Sequence, residues 1–151
     1  MKKLNMKNIA VIISLISISF LFTQATFNES EILNKGEGIE FFHGSFDEAL
    51  ALAKKENKMI FMDAYATWCG PCKGMSRDVF TSKRVGEMFN EKFINIKMDM
   101  EKGEGPALAR KYGVRAYPTL FFLDSEGKVI GKEMGYHNNN QLIGIAEKAL
   151  R

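Results

Sequence analysis

The apolar residues of this chain fall in blocks whose period changes along the sequence. Ile9 to Phe22 is an uncharged, serine-dotted apolar run, and Phe27 to Gly38 is polar. From Ile39 onward, short apolar runs alternate with stretches of helical period. Ile39 to Phe42 reads as a short first strand. Ser45-Phe46-Asp47-Glu48 has the pattern of a capping box, and Phe46, Ala49, Leu50 and Ala53 share one face of a helix running to about Lys55. Glu56-Asn57-Lys58 turns the chain. Met59 to Tyr65 is a near-continuous apolar strand, as expected of a central strand covered on both faces. Val85, Met88 and Phe89 mark an amphipathic helix. Phe93 to Asp99 alternates, with Ile94, Ile96 and Met98 against Asn95 and Lys97, and reads as a strand. Pro106 opens a helix whose apolar face is Ala107, Leu108 and Tyr112 and whose end is Gly113. Thr119 to Leu123 and Val129 to Met134 form a hairpin about Asp124-Ser125-Glu126-Gly127. Asn138, with Gln141 three residues on, caps a last helix that turns Leu142, Ile145 and Leu150 to the core. Strands alternating with helices place the chain in the α/β class.

The N-terminal block changes the picture of compartment and charge. Lys2, Lys3 and Lys7 precede the apolar run, and Thr23-Gln24-Ala25 follows it with small residues. Residues 1–25 therefore read as a secretory signal peptide, residues 26–38 as a linker and residues 39–151 as one domain. The apolar run is short for a bilayer span of about 20 residues, so cleavage is expected over a retained N-terminal anchor. No cysteine follows the run, which excludes a lipoprotein anchor at that point. Of 21 Lys and Arg, three lie before residue 25, and all 18 Asp and Glu lie after it. The remainder carries 18 − 18 = 0 formal charge, which gives no reason to invoke nucleic acid or anionic lipid.

Candidate chemistry is concentrated between Asp63 and Lys73. Both cysteines of the chain, Cys69 and Cys72, stand here around Gly70-Pro71. A Cys-x-x-Cys pair at a first helical turn brings two sulfurs within bonding distance. The first thiol meets the unpaired N–H groups of the helix start, which lowers its pKa and makes it the nucleophile of disulfide exchange. Pro71 suits a first turn, where its missing N–H costs nothing. Trp68 supplies an apolar rim. Asp63 lies near the end of the preceding strand; if buried there, it should have a raised pKa and could move a proton for Cys72. A closed zinc site needs four ligands, and only His43 and His137 remain, far apart and without ligand spacing. A structural disulfide closing so short a ring would stabilise little. Both histidines read as loop residues without a role. No repeat, phosphate loop or nucleotide fingerprint is present.

Trp68-Cys69-Gly70-Pro71-Cys72-Lys73, followed some forty-five residues later by Tyr117-Pro118-Thr119, resembles the thioredoxin family's active-site signature and cis-proline loop. The resemblance covers about Ile39 to Leu150. It implies the thioredoxin fold, a mixed central β-sheet flanked by helices, with Cys69 attacking and Cys72 resolving. Pro118 would then be cis, with Tyr117 presenting its backbone to an extended substrate segment; packing of Tyr117 on Trp68 is the alternative use. Gly135 resembles the family's glycine near the active-site groove. Gly74 to Phe89, with Val79-Phe80 between two helical stretches, resembles the C-terminal domain of the transmembrane thiol:disulfide interchange reductases and their free-standing relatives. Two departures stand out. Cytosolic thioredoxins often carry a lysine four residues before an aspartate matching Asp99; Asn95 stands there, and the reach of Lys97 to Asp63 is left open. The reductase branch can place an acid four residues after the second cysteine; Ser76 stands there, leaving Asp63 as the only nearby carboxylate.

The N-terminal pattern and the resemblance together imply an exported protein disulfide reductase with Cys69, Cys72 and Asp63 as its chemistry and Trp68, Gly70, Pro71, Tyr117 and Pro118 as its substrate contacts. The cysteines carry the electrons, so no cofactor or metal is needed. Implied partners are disulfide-containing exported proteins and an integral-membrane thiol donor, with the chain a monomer. Alternatives are an oxidase or isomerase, a Cu(I)-delivery protein using both thiolates, and a redox-inert module that holds extended segments.

Overall fold

The computed structural model describes residues 37–151. The expected signal peptide, and the linker up to residue 36, lie outside the described residues. Residues 37–151 form one compact unit. Its elements are β1 (Phe41–Phe42), α1 (Phe46–Glu56), β2 (Met59–Tyr65), α2 (Gly70–Gly74), a π-helical turn (Met75–Val79), α3 (Lys83–Lys92), β3 (Phe93–Asp99), α4 (Gly105–Tyr112), β4 (Thr119–Leu123), β5 (Val129–Met134) and α5 (Asn139–Ala149). The sheet is mixed, in the order β1-β3-β2-β4-β5. β2 is central, parallel to β3 and antiparallel to β4.

Alternation along β2 sends successive side chains to opposite faces. Ile60, Met62 and Ala64 join a core under α1 and α4 with Phe46, Leu108 and Tyr112. Phe61 joins the second core, under the π-helical turn, α3 and α5, with Met75, Val79, Phe89 and Leu142. Asp63 has the parity of Phe61, so it points toward the layer that carries the dithiol. Both layers are aromatic-rich; each fully buried Phe contributes about 1.5–3 kcal/mol.

Caps fix the helix ends. Ser45 and Glu48 form the expected capping box, as do Asn138 and Gln141. Asn57 and Gly113 close α1 and α4 in the left-handed conformation, each N–H reaching back to the last turn.

Several expectations are corrected. The first strand is only Phe41–Phe42. The end of the expected linker is tied down: Asn90 Nδ2 donates to Gly38 O at 3.0 Å, its Oδ1 accepts from Glu40 N at 2.8 Å, and Ile39 N donates to Phe80 O at 2.7 Å. Gly86 permits this strap, since a Cβ there would lie 2.4 Å from the Gly38 backbone. The alternation of β3 does not leave Asn95 outside: it is buried and donates to Glu40 O and Phe89 O, because helices cover both faces. Ala107 is exposed on α4, where Gly105 is buried instead. Leu150 is exposed; Ile143 and Ala146 join Leu142 in the core, because α5 ends at Ala149.

Candidate functional site

β2 ends at Tyr65, a short turn follows, and α2 begins at Gly70, so the cysteines sit at a strand-to-helix junction. Cys69 is the N-cap of α2 in extended conformation, and Pro71 occupies the first turn. Cys69 and Cys72 form a disulfide, and the Cys72 N–H donates to Cys69 Sγ at 3.1 Å. In the dithiol form, the same N–H is placed to stabilise a Cys69 thiolate. Both cysteines are buried, whereas Gly70 and Pro71 are exposed. The π-helical turn continues α2 directly, and Met75 N–H bonds back to Pro71 and Cys72 carbonyls.

The Tyr117–Pro118 peptide is cis, as expected. Tyr117 packs with the cluster of Ala66, Cys69 and Cys72. Its ring also meets Trp68 edge to face at 5.8 Å. The structure thus realises the packing use of Tyr117. Trp68 is 66% exposed, and its Nε1 donates to Glu101 Oε2 at 2.9 Å. Gly135, at positive φ, donates its N–H to Pro118 O at 2.8 Å, which closes the β5 end onto the cis-proline loop.

Beneath the dithiol layer, Asp63 is fully buried. The parallel register pairs it with Lys97, and Lys97 Nζ donates to Asp63 Oδ2 at 2.8 Å and to Ser76 Oγ at 2.7 Å. The point left open by the sequence is therefore settled: Lys97 reaches the acid. Its ammonium also stands about 5 Å from three ring centroids, Phe41, Tyr65 and Phe80. Asp63 Oδ1 has no hydrogen-bond partner. Burial pushes the Asp63 carboxyl above its usual range, and the Lys97 charge and hydrogen bond oppose that rise. A cleft of about 450 Å³, lined by Tyr65, Thr67, Cys72, Ser76 and Lys97 among others, joins this network to the second cysteine. A buried acid, a cation and two sulfurs so arranged can perform thiol–disulfide exchange, with proton movement at Cys72.

Residues 46–150 match the family described as Thioredoxin-like domain. The chain belongs to that family. This thioredoxin-like chain is 37% identical to thioredoxin Y2, chloroplastic, of Arabidopsis thaliana over 107 residues, 71% of this chain and 59% of that one. It spans 58% to 62% of the length of the three chloroplastic thioredoxins it matches. Among solved structures, a candidate disulphide-isomerase from Bacteroides thetaiotaomicron is 45% identical, with a TM-score of 0.69 over 78% of this chain and 97% of that one. The oxidised DsbD C-terminal domain of Neisseria meningitidis is 26% identical, with a TM-score of 0.61 over 73% of this chain and 99% of that one.

Sequence reasoning placed Asp63, Trp68, Cys69, Gly70, Pro71, Cys72, Tyr117 and Pro118 in one neighbourhood, and the thioredoxin-like fold gathers them there. It gave too small a set of carboxylates. Glu101 joins Asp63 at the site through Trp68, and Asp99 lies near enough to Tyr65 to help raise that phenol's pKa, after burial. The signal for Glu101 was the charged, glycine-containing stretch from Met100 to Gly105 directly after β3. His137 stays a loop residue, its Nδ1 3.0 Å from Gly135 O, and His43 is exposed.

Proposed function

We propose that the protein is an exported thiol–disulfide oxidoreductase that acts mainly as a protein disulfide reductase. The observation that carries this reading is the Cys69–Cys72 pair capping a helix above the buried Asp63–Lys97 pair and beside cis Pro118. The Cys69 thiolate attacks one sulfur of a substrate disulfide, and the other substrate sulfur leaves as a thiolate and takes a proton. Asp63 then accepts the Cys72 proton. The Cys72 thiolate attacks Cys69 Sγ and releases the second substrate thiol. Two electrons pass to the substrate, and the protein is left as the Cys69–Cys72 disulfide. The cysteines carry these electrons themselves, without a cofactor.

Gly70-Pro71 between the cysteines supports the reducing direction, as it resembles the reducing members of the family. The likeness to the DsbD C-terminal domain supports an integral-membrane thiol donor and disulfide-containing exported substrates. The basic and apolar pattern of residues 1–25 supports export. A second reading, disulfide isomerase, is favoured by the candidate disulphide-isomerase at 45% identity.

The deciding measurement is the reduction potential of the pair, by equilibration with dithiothreitol or glutathione, alongside insulin reduction. A value near about −270 mV, that of thioredoxin, supports the reductase; a value near about −120 mV makes the protein a disulfide donor. Rapid reactivation of scrambled ribonuclease, with slow insulin reduction, would favour the isomerase. Replacing Cys69 by Ser abolishes exchange on any of these readings. If insulin reduction survived that change, the dithiol assignment would fail.

A further inference from the structure

Ser76 has no part in the exchange steps above, yet its hydroxyl is tied to them. It lies in the π-helical turn that continues α2, and single π-helical turns inside helices recur at functional sites. From there Ser76 Oγ accepts a hydrogen bond from Lys97 Nζ, 2.7 Å away across 21 residues of sequence. Lys97 also donates to Asp63 Oδ2, while Asp63 Oδ1 has no partner. Two clefts flank this contact. The cleft of about 450 Å³ reaches Cys72, and a second of about 260 Å³ is bordered by Ile39, Phe41, Phe80 and Thr81. Ser76 and Lys97 line both, so the pair stands as the partition between them. Asp63 lines neither, and the buried acid meets solvent through that partition. The rings of Phe41, Tyr65 and Phe80 attract the ammonium from about 5 Å, but a ring face is broad and fixes no direction. Hydrogen bonds do fix one. The lysine stem is flexible and the side chain is 24% exposed. Without the hydroxyl, the ammonium is free to turn toward water in either cleft.

We propose that Ser76 is a positioning residue: its hydroxyl holds the Lys97 ammonium on Asp63 and thereby sets the pH at which the acid gives up the proton it takes from Cys72. The proposal rests on the disulfide-exchange reading above and adds a residue to that same site. Other charged or titratable groups face the pair. Tyr65 on β2 feels both Asp63 and Asp99. Cys69 and Cys72 stand at the head of α2. Lys73 and Arg77 line the larger cleft, with Arg77 held by Asp78 at 2.6 Å. β4 brings the neutral Leu120 beside Asp63, and the smaller cleft adds no charge besides Lys97. Among the described residues, Lys97 alone is hydrogen-bonded to the Asp63 carboxyl, so its placement governs the acid. An ammonium in contact favours the carboxylate; one displaced into water favours it less, and the acid then keeps its proton to higher pH.

The test titrates the Asp63 carboxyl by carbon NMR in the oxidised protein, whose disulfide sulfurs do not titrate. The resonance is assigned by its absence from Asp63→Asn. Ser76→Ala raises the midpoint by about 0.5–1 pH unit, a fraction of the roughly 1–3 units that an opposite charge in contact produces. Ser76→Thr keeps the hydroxyl and titrates with the parent. In Lys97→Met the midpoint is already high, and adding Ser76→Ala moves it no further, because Ser76 acts through Lys97. The midpoint of mixed-disulfide release follows the same order. A parent-like midpoint in Ser76→Ala overturns the proposal, and so does an equal shift with and without Lys97. The titration needs no substrate, so a parent protein that fails to reduce insulin overturns the exchange reading itself, an outcome distinct from an unmoved Asp63.

Discussion

Asp63 is the residue at which stability and chemistry oppose each other. Its carboxyl is buried, has one oxygen unpartnered and shares one lysine with Ser76. Burial raises its pKa from the ordinary 3.8. Below about pH 4 the group is protonated in folded and unfolded chains alike and costs nothing. As pH rises toward the folded value, the unfolded chain releases the proton while the folded chain keeps it, so stability falls; above that value the penalty is constant. Asp63→Asn should therefore be more stable than the parent at pH 7.5, with the gain vanishing near pH 4, as read by urea unfolding at both values. A loss of stability at neutral pH would mean that the ionised pair with Lys97 is net favourable. The same substitution should slow release of the mixed disulfide by about 10²-fold, the lower range for a positioned proton carrier. Lys97→Met removes the cation that favours the carboxylate, so Asp63 holds its proton to higher pH. The midpoint of the pH dependence of mixed-disulfide release should move upward, measured by stopped flow. An unmoved midpoint would take Lys97 out of the proton path.

At the scale of elements, the strap formed by residues 37–40 is the least expected feature. Gly86 on α3 lets the Gly38 backbone pass where no side chain fits. Gly86→Ala forces that backbone away and should cost about 1–3 kcal/mol. The urea midpoint should fall, and the Ile39 amide, bonded to Phe80 O, should lose its protection from hydrogen exchange. Full protection at Ile39 would show that the strap adapts. Elements with local signals were legible beforehand: the capping boxes at Ser45 and Asn138, the apolar run of β2, and the cysteines on either side of Gly70-Pro71. Features set by tertiary pairing were not. The sequence places Lys97 on β3 but cannot fix the parallel register that brings it to Asp63. Asn95 reads as polar and outward until α3 covers it. Glu101 reaches Trp68 across 33 residues. The π-helical turn at Met75–Val79 has no residue pattern that separates it from an α-helix.

For the whole molecule, two cores sandwich one mixed sheet, and the sheet's central strand delivers the site to a single edge of the unit. No helix of the described residues is long and apolar enough to cross a membrane. The chain contains one tryptophan, and it stands at that edge, exposed, edge to face with Tyr117 and bonded to Glu101. Its indole therefore reports on the rim and on nothing else. Emission should be red-shifted in the free protein and move to shorter wavelength when a Cys72→Ser variant is trapped with a peptide on Cys69. Glu101→Gln should alter the free spectrum by weakening the bond at Nε1. An emission maximum indifferent to trapping would place the bound chain away from Trp68. A protein whose single tryptophan borders its reactive sulfurs carries its own optical gauge of occupancy, readable without a label and on the time scale of each encounter.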